Sequence, residues 1–157
     1  MDTVSIAQRA IERLGLRYNV DHTSARLVIG LTERDVSGST SYEIALEAMA
    51  TRVRLVASYI AGTGGKEGKF DPALAALVAG LAYDLDLHLG VDECDGEIVA
   101  RLTIDLTYVP KRARVDAATW GLRTFLNQQS TVQRRIREAR RIALPLSTLA
   151  GKLPVSA

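Results

Sequence analysis

A chain of 157 residues, 47% hydrophobic and 24% charged, fits one soluble globular domain with enough apolar mass for a core. No run approaches the roughly 18 uninterrupted apolar residues of a membrane span, and MDTVSIAQRAIERLG lacks the basic-then-apolar build of a secretory signal. Its single cysteine, Cys94, can form no internal disulfide, so a reducing, cytoplasmic setting is expected. Residues 3–14 predict an amphipathic helix in which Ala7, Ala10, Ile11 and Leu14 share one face, Thr3 or Ser5 caps the start and Gly15 stops it. An extended piece (LRYNV) leads to a strand over Ala25–Thr32, with Leu27, Ile29 and Leu31 on one side and Arg26, Val28 and Gly30 on the other. The polar run RDVSGST reads as a loop.

Ser41–Ile60 fits two templates. As one helix it has Thr40 three residues before Glu43, and a stripe of Tyr42, Leu46, Met49, Val53, Val56 and Ile60. As two strands it alternates through Tyr42, Ile44, Leu46 and Ala48, breaks near Ala50–Thr51, and alternates again through Val53, Leu55, Ala57 and Tyr59. Periodicity does not choose between them. AGTGGKEGK is a glycine-rich connector; it lacks the Gly-Lys-Ser/Thr ending of a phosphate loop. Asp71-Pro72 opens a helix with Leu74, Leu77, Val78 and Leu81 on its apolar face.

From Asp84 to Tyr108 leucines and charges alternate on both sides of Asp95-Gly96, a strong hairpin-turn signal. A two-residue turn there predicts Val91 opposite Ala100, Leu89 opposite Leu102, Leu87 opposite Ile104 and Leu85 opposite Leu106, with Asp86 facing Asp105. After Pro110, Asp116 caps a long helix whose apolar face holds Ala118, Leu122, Phe125, Val132, Ile136 and Ala139, with Ser130-Thr131 a place to bend or divide it. Pro145 and Pro154 mark residues 145–157 as a flexible tail to a domain of residues 1–144.

No catalytic motif is present, and no enzyme activity or cofactor is expected. Asp84, Asp86 and His88 share a strand face, but Asp84 and His88 stand roughly 13 Å apart along a strand, too far for one ion, and Arg101 is near enough to relieve the carboxylates. His22 has no acid or nucleophile beside it, and the acids around Cys94 would raise its thiol pKa. Charge is uneven: residues 1–109 hold ten Lys/Arg against sixteen Asp/Glu, whereas 110–157 hold ten against two. The run Arg134, Arg135, Arg137, Arg140 and Arg141 is a candidate anion-binding face, or simply a solvated one. Without interleaved aromatics it offers no means of reading a nucleic-acid sequence.

The element order resembles the superfamily of type III secretion chaperones and YbjN-like proteins. IERLGLRYNV is similar to that family's first helix and following extended segment, TRVRLVASYI to its third strand, and LAYDLDLHLGVDECDGEIVARLTIDL to a helix end and hairpin before a long last helix. The likeness covers about residues 5–140 and favours two strands over 41–60. ALVAGLAYDL lacks the Asn common before the fourth strand, and QRRIREARR is no family hallmark. The resemblance implies an α+β domain with an antiparallel sheet of about five strands, in the order α-β-β-β-α-β-β-α. It further implies a non-catalytic homodimer that binds an extended polypeptide client, with Leu27, Ile29 and Leu31 as candidate contacts unless these three face the core. A subunit of a phage or secretion assembly, packed head to tail through the charge asymmetry, is a further reading.

Overall fold

The computed structural model describes the backbone of residues 1–35, 38–59, 72–85, 87–91 and 98–152, and side chains along α3 as far as Glu138. The chain is an α+β protein. One six-stranded antiparallel sheet is flanked by three helices: α1 (Thr3–Arg13), β1 (Asn19–Asp21), β2 (Arg26–Asp35), β3 (Gly38–Ala48), β4 (Arg52–Tyr59), α2 (Pro72–Leu85), β5 (His88–Val91), β6 (Ile98–Asp105) and α3 (Arg114–Lys152). The spatial order is β1-β2-β3-β4-β6-β5. The sixth strand is the short β1, formed within and just after the extended piece predicted before β2.

α1 starts and stops by local chemistry. Asp2, rather than Thr3 or Ser5, is the N-cap, its carboxylate accepting from the Ser5 N–H at 2.8 Å. At the other end Gly15 takes φ +69°, and the N–H groups of Gly15 and Leu16 bond back to the carbonyls of Glu12 and Ile11. That is a Schellman ending, which glycine enters without steric cost.

Residues 41–59 form two strands joined by a turn, and Ile60 lies outside the described residues. β3 and β4 pair from Glu43 with Ser58 to Ala48 with Val53, and Met49 N–H closes the turn onto the Arg52 carbonyl at 2.8 Å. The predicted loop RDVSGST is mostly strand as well: β2 reaches Asp35 and β3 begins at Gly38, leaving only 36–37 between them outside the described residues. Its polarity reflects exposure, since Thr32, Arg34, Ser39 and Ser41 lie at a solvated end of the ladder.

The Asp84–Tyr108 hairpin forms in a different register. Asp84 and Leu85 finish α2, and β5 pairs Leu89 with Ala100 and Val91 with Ile98, two residues from the predicted match. A two-residue slip leaves each side chain on its own face, so alternation cannot detect it. Leu102 and Ile104 find apolar partners on the other side of β6 instead, opposite Leu55 and Val53 of β4. Asp105 accordingly faces Arg52, 3.5 Å from its guanidinium, and not Asp86. Asp86 and the turn residues 92–97, Cys94 included, lie outside the described residues, as does the glycine-rich connector.

The inner face of the sheet reads across as Leu27–Leu46–Leu55–Leu102 and Ile29–Ile44–Ala57–Ala100–Leu89. It forms one core with Ile6, Ala7, Ala10 and Ile11 of α1, Val78 and Leu81 of α2, and Ala118, Leu122, Phe125, Val132 and Ile136 of α3. Gly121 brings α3 close to β6: a Cβ there would lie 2.5 Å from Ile104 Cδ1. A turn of 3-10 helix (Lys111–Ala113) precedes α3, and Asp116 sits in the first turn of α3, paired with Arg13 of α1. The helix neither divides at Ser130-Thr131 nor stops before Pro145; it runs to Lys152. A proline removes one intrahelical hydrogen bond, which leaves room for a kinked continuation where propensity on both sides is high.

Candidate binding surface

One edge of the sheet is incompletely paired. β1 is joined to β2 by a tight turn in which Asp21 accepts from the Thr23 N–H at 3.0 Å and from the Ser24 hydroxyl, and it stops at Asn19, where residues 14–18 lead back to α1 without strand pairing. It covers only Arg26–Val28 of β2, whereas β3 pairs with all ten residues of that strand. Among the described residues, no strand partners 29–35 on that side. An edge of this kind offers alternate N–H and C=O groups to any extended chain.

The three candidate contacts divide. Leu27 and Ile29 are 4% and 1% exposed, interlocked with Leu46 and Ile44, so they face the core, the other of the two readings open to them. Their outward neighbours across the pleat are Arg26 and Val28. Only Leu31 is part-exposed, at the rim of the core. What this edge presents is therefore backbone, bordered by Leu31 on one face and by Gly30, Thr32 and Arg34 on the other.

None of the described residues on the outer face of the sheet is fully buried. A small apolar row, Val28–Ala45–Val56, runs across it towards Arg101 and His88. Beside it Arg26, Glu47 and Arg54 alternate in charge, with Glu47 bridging both arginines at 2.8 and 3.4 Å. These pairs are part-exposed, so they fix register and contribute little to stability.

At the inner rim, three polar side chains meet around Glu33 of β2. Its carboxylate accepts from the Tyr42 hydroxyl at 3.0 Å and from the Ser130 hydroxyl, and lies 3.8 Å from Arg137. Burial, reinforced by the Glu33 charge, pushes the Tyr42 phenol well above its ordinary range, so it stays a donor. Next to Ser130 on α3 are Gln129 and, one turn on, Gln133, 0% and 1% exposed. Among the described residues, both amide atoms of Gln129 and Nε2 of Gln133 have no hydrogen-bond partner. The polar seam is legible in the sequence only as two glutamines interrupting an apolar stripe; nothing along the chain points from them to Glu33.

Three of the five arginines of the run have described side chains. Arg134 and Arg135 are exposed, whereas Arg137 turns inward to Glu33; the side chains of Arg140 and Arg141 lie outside the described residues. His22 is exposed in the β1–β2 turn.

The chain is similar to a solved protein of like fold. In the crystal structure of the ExsC-ExsE complex, one chain superposes with a TM-score of 0.48 at 18% sequence identity, over 85% of this chain and 96% of that one. No family model and no curated protein matches the sequence. No described helix is long and apolar enough to cross a membrane.

Proposed function

We propose that this protein is a non-catalytic, chaperone-like binding module that takes an extended polypeptide along the outer edge of β2. The observation that carries the reading is that 29–35 has no strand partner on its outer side among the described residues, because β1 pairs with only three residues of a ten-residue strand. Strand addition there would satisfy alternating backbone groups, with Leu31 gripping an apolar side chain on one face and Arg34 a polar or acidic one on the other. The module works as a homodimer in the cytoplasm, and its core domain ends near residue 144.

Amide hydrogen exchange with a panel of extended peptides tests this. Binding should slow exchange in 29–35 and leave α1 unchanged; protection confined to other segments would overturn the assignment. Light scattering over a hundredfold range of concentration should show a dimer, and a monomer throughout would remove that part of the proposal.

A second reading rests on the exposure of Arg134 and Arg135, beside Arg140 and Arg141 in sequence. It makes the distal part of α3 an anion- or nucleic-acid-binding arm, or a contact in a larger phage or secretion assembly. Gel shift at low and moderate salt, with the Arg134/Arg135/Arg140/Arg141→Ala variant as control, separates it from the first. A salt-sensitive shift lost in that variant would favour the arm.

A further inference from the structure

We propose that the distal part of α3, from Gln129 onward, is a strap that opens from the sheet independently of the proximal part, with Glu33 as its latch. The proximal part, from Ala118 to Phe125, meets the sheet through apolar side chains and the close contact of Gly121 with Ile104. Beyond it the chemistry changes. Val132 and Ile136 are buried, but Gln129 and Gln133 are buried among them, and three of their four amide atoms lack partners among the described residues. A buried amide left unsatisfied gives up its hydration with no return, so seating this segment is far less favourable than its apolar area suggests. Among the described residues, two polar contacts of this segment converge on one carboxylate: Ser130 donates to Glu33 and Arg137 lies 3.8 Å from it, while Tyr42 donates to the same group from β3. An apolar hinge side, a costly seam and a shared carboxylate latch describe an element poised between seated and open positions. The proposal stands whatever occupies the β2 edge.

Hydrogen exchange on the full chain tests it. In the unmodified protein the amides of 129–138 should exchange as a block, faster than those of 118–126 by about tenfold or more. Glu33→Ala should speed the distal block further and leave the proximal one unchanged. Gln129→Leu with Gln133→Leu should act oppositely, slowing distal exchange by about tenfold as the unsatisfied amides are removed. One common rate along 118–138, or an equal response of both parts to Glu33→Ala, would mean that α3 moves as a single body and would overturn the strap. Faster distal exchange in the leucine variant would overturn it too, since the amides would then have partners in solution; the single Gln133→Leu variant gives the same sign test should the double one fold poorly.

Discussion

At the scale of single residues, the sharpest constraint is the absence of a side chain at Gly121. A helix-interior glycine costs about 1 kcal/mol relative to alanine, and here it permits the approach of α3 to Ile104. Gly121→Val should therefore lower stability by about 1–3 kcal/mol through overpacking, read from urea midpoints; an unchanged midpoint would show that the helix can shift without cost. Gly80 of α2 has open space around its would-be Cβ, so Gly80→Ala should gain about 0.5–1 kcal/mol. Among the described residues, three carboxylates are held low. Hydrogen bonds from the Ser5, Ser24 and Thr107 side chains, then from nearby backbone N–H groups, hold Asp2, Asp21 and Asp105 below the ordinary 3.8. A lowered folded-state pKa gives stability that is present in full above the unfolded value and is lost as pH falls through the folded one. Unfolding midpoints should thus be flat from pH 7 to about 5 and fall below pH 4, and less steeply in an Asp21→Asn/Asp105→Asn variant. Parallel curves would show that other groups govern the acid limb.

At the scale of elements, position in the sheet outranks composition. Leu55 lies on β4, paired on both sides and fully buried, whereas Val20 sits on β1 at the margin, 44% exposed. Leu55→Ala should cost about 2–5 kcal/mol and Val20→Ala within about 0.5 kcal/mol, compared by chemical denaturation. Similar losses would mean that β1 is integral to the core. The ambiguity over Ser41–Ile60 has the same root. Tyr42, Leu46, Met49 and Val53 satisfy a helical stripe, while Tyr42, Ile44, Leu46 and Ala48 satisfy a strand, and Ala-rich pieces suit both. Neighbours on either side settle it: β2 offers Leu27 and Ile29, and β6 offers Ala100 and Leu102, each opposite an inward residue of the hairpin.

At the scale of the whole molecule, α3 is longer than the sheet beneath it. Thirty-nine residues of helix span about 58 Å, against about 36 Å for the eleven residues of β3. Among the described residues, its last fully buried side chain is Ile136. Deleting 145–157 should consequently leave the denaturation midpoint within about 1 kcal/mol of the full chain. A larger loss would assign the end of the helix to the fold. Charge follows the same geometry, since acidic groups are spread through the sheet-bearing first 109 residues and basic ones lie along the helix.

What the sequence determined alone rested on local period and on the strongest local stop and start signals: α1 with its Gly15 ending, the start of α2 at Pro72, and the stripe of α3 through Leu122, Phe125 and Ile136. Alternation likewise fixed which face each residue of β2 and β6 presents, because that depends only on the pleat. Register lay beyond it, since a two-residue slip preserves every face, and only the competition of β4 and β5 for the two sides of β6 placed Asp105 against Arg52 and not Asp86. The polar seam and the open edge of β2 were equally a tertiary matter. Glu33 and Ser130 stand 97 residues apart, and an edge is defined by the strand that fails to arrive beside it.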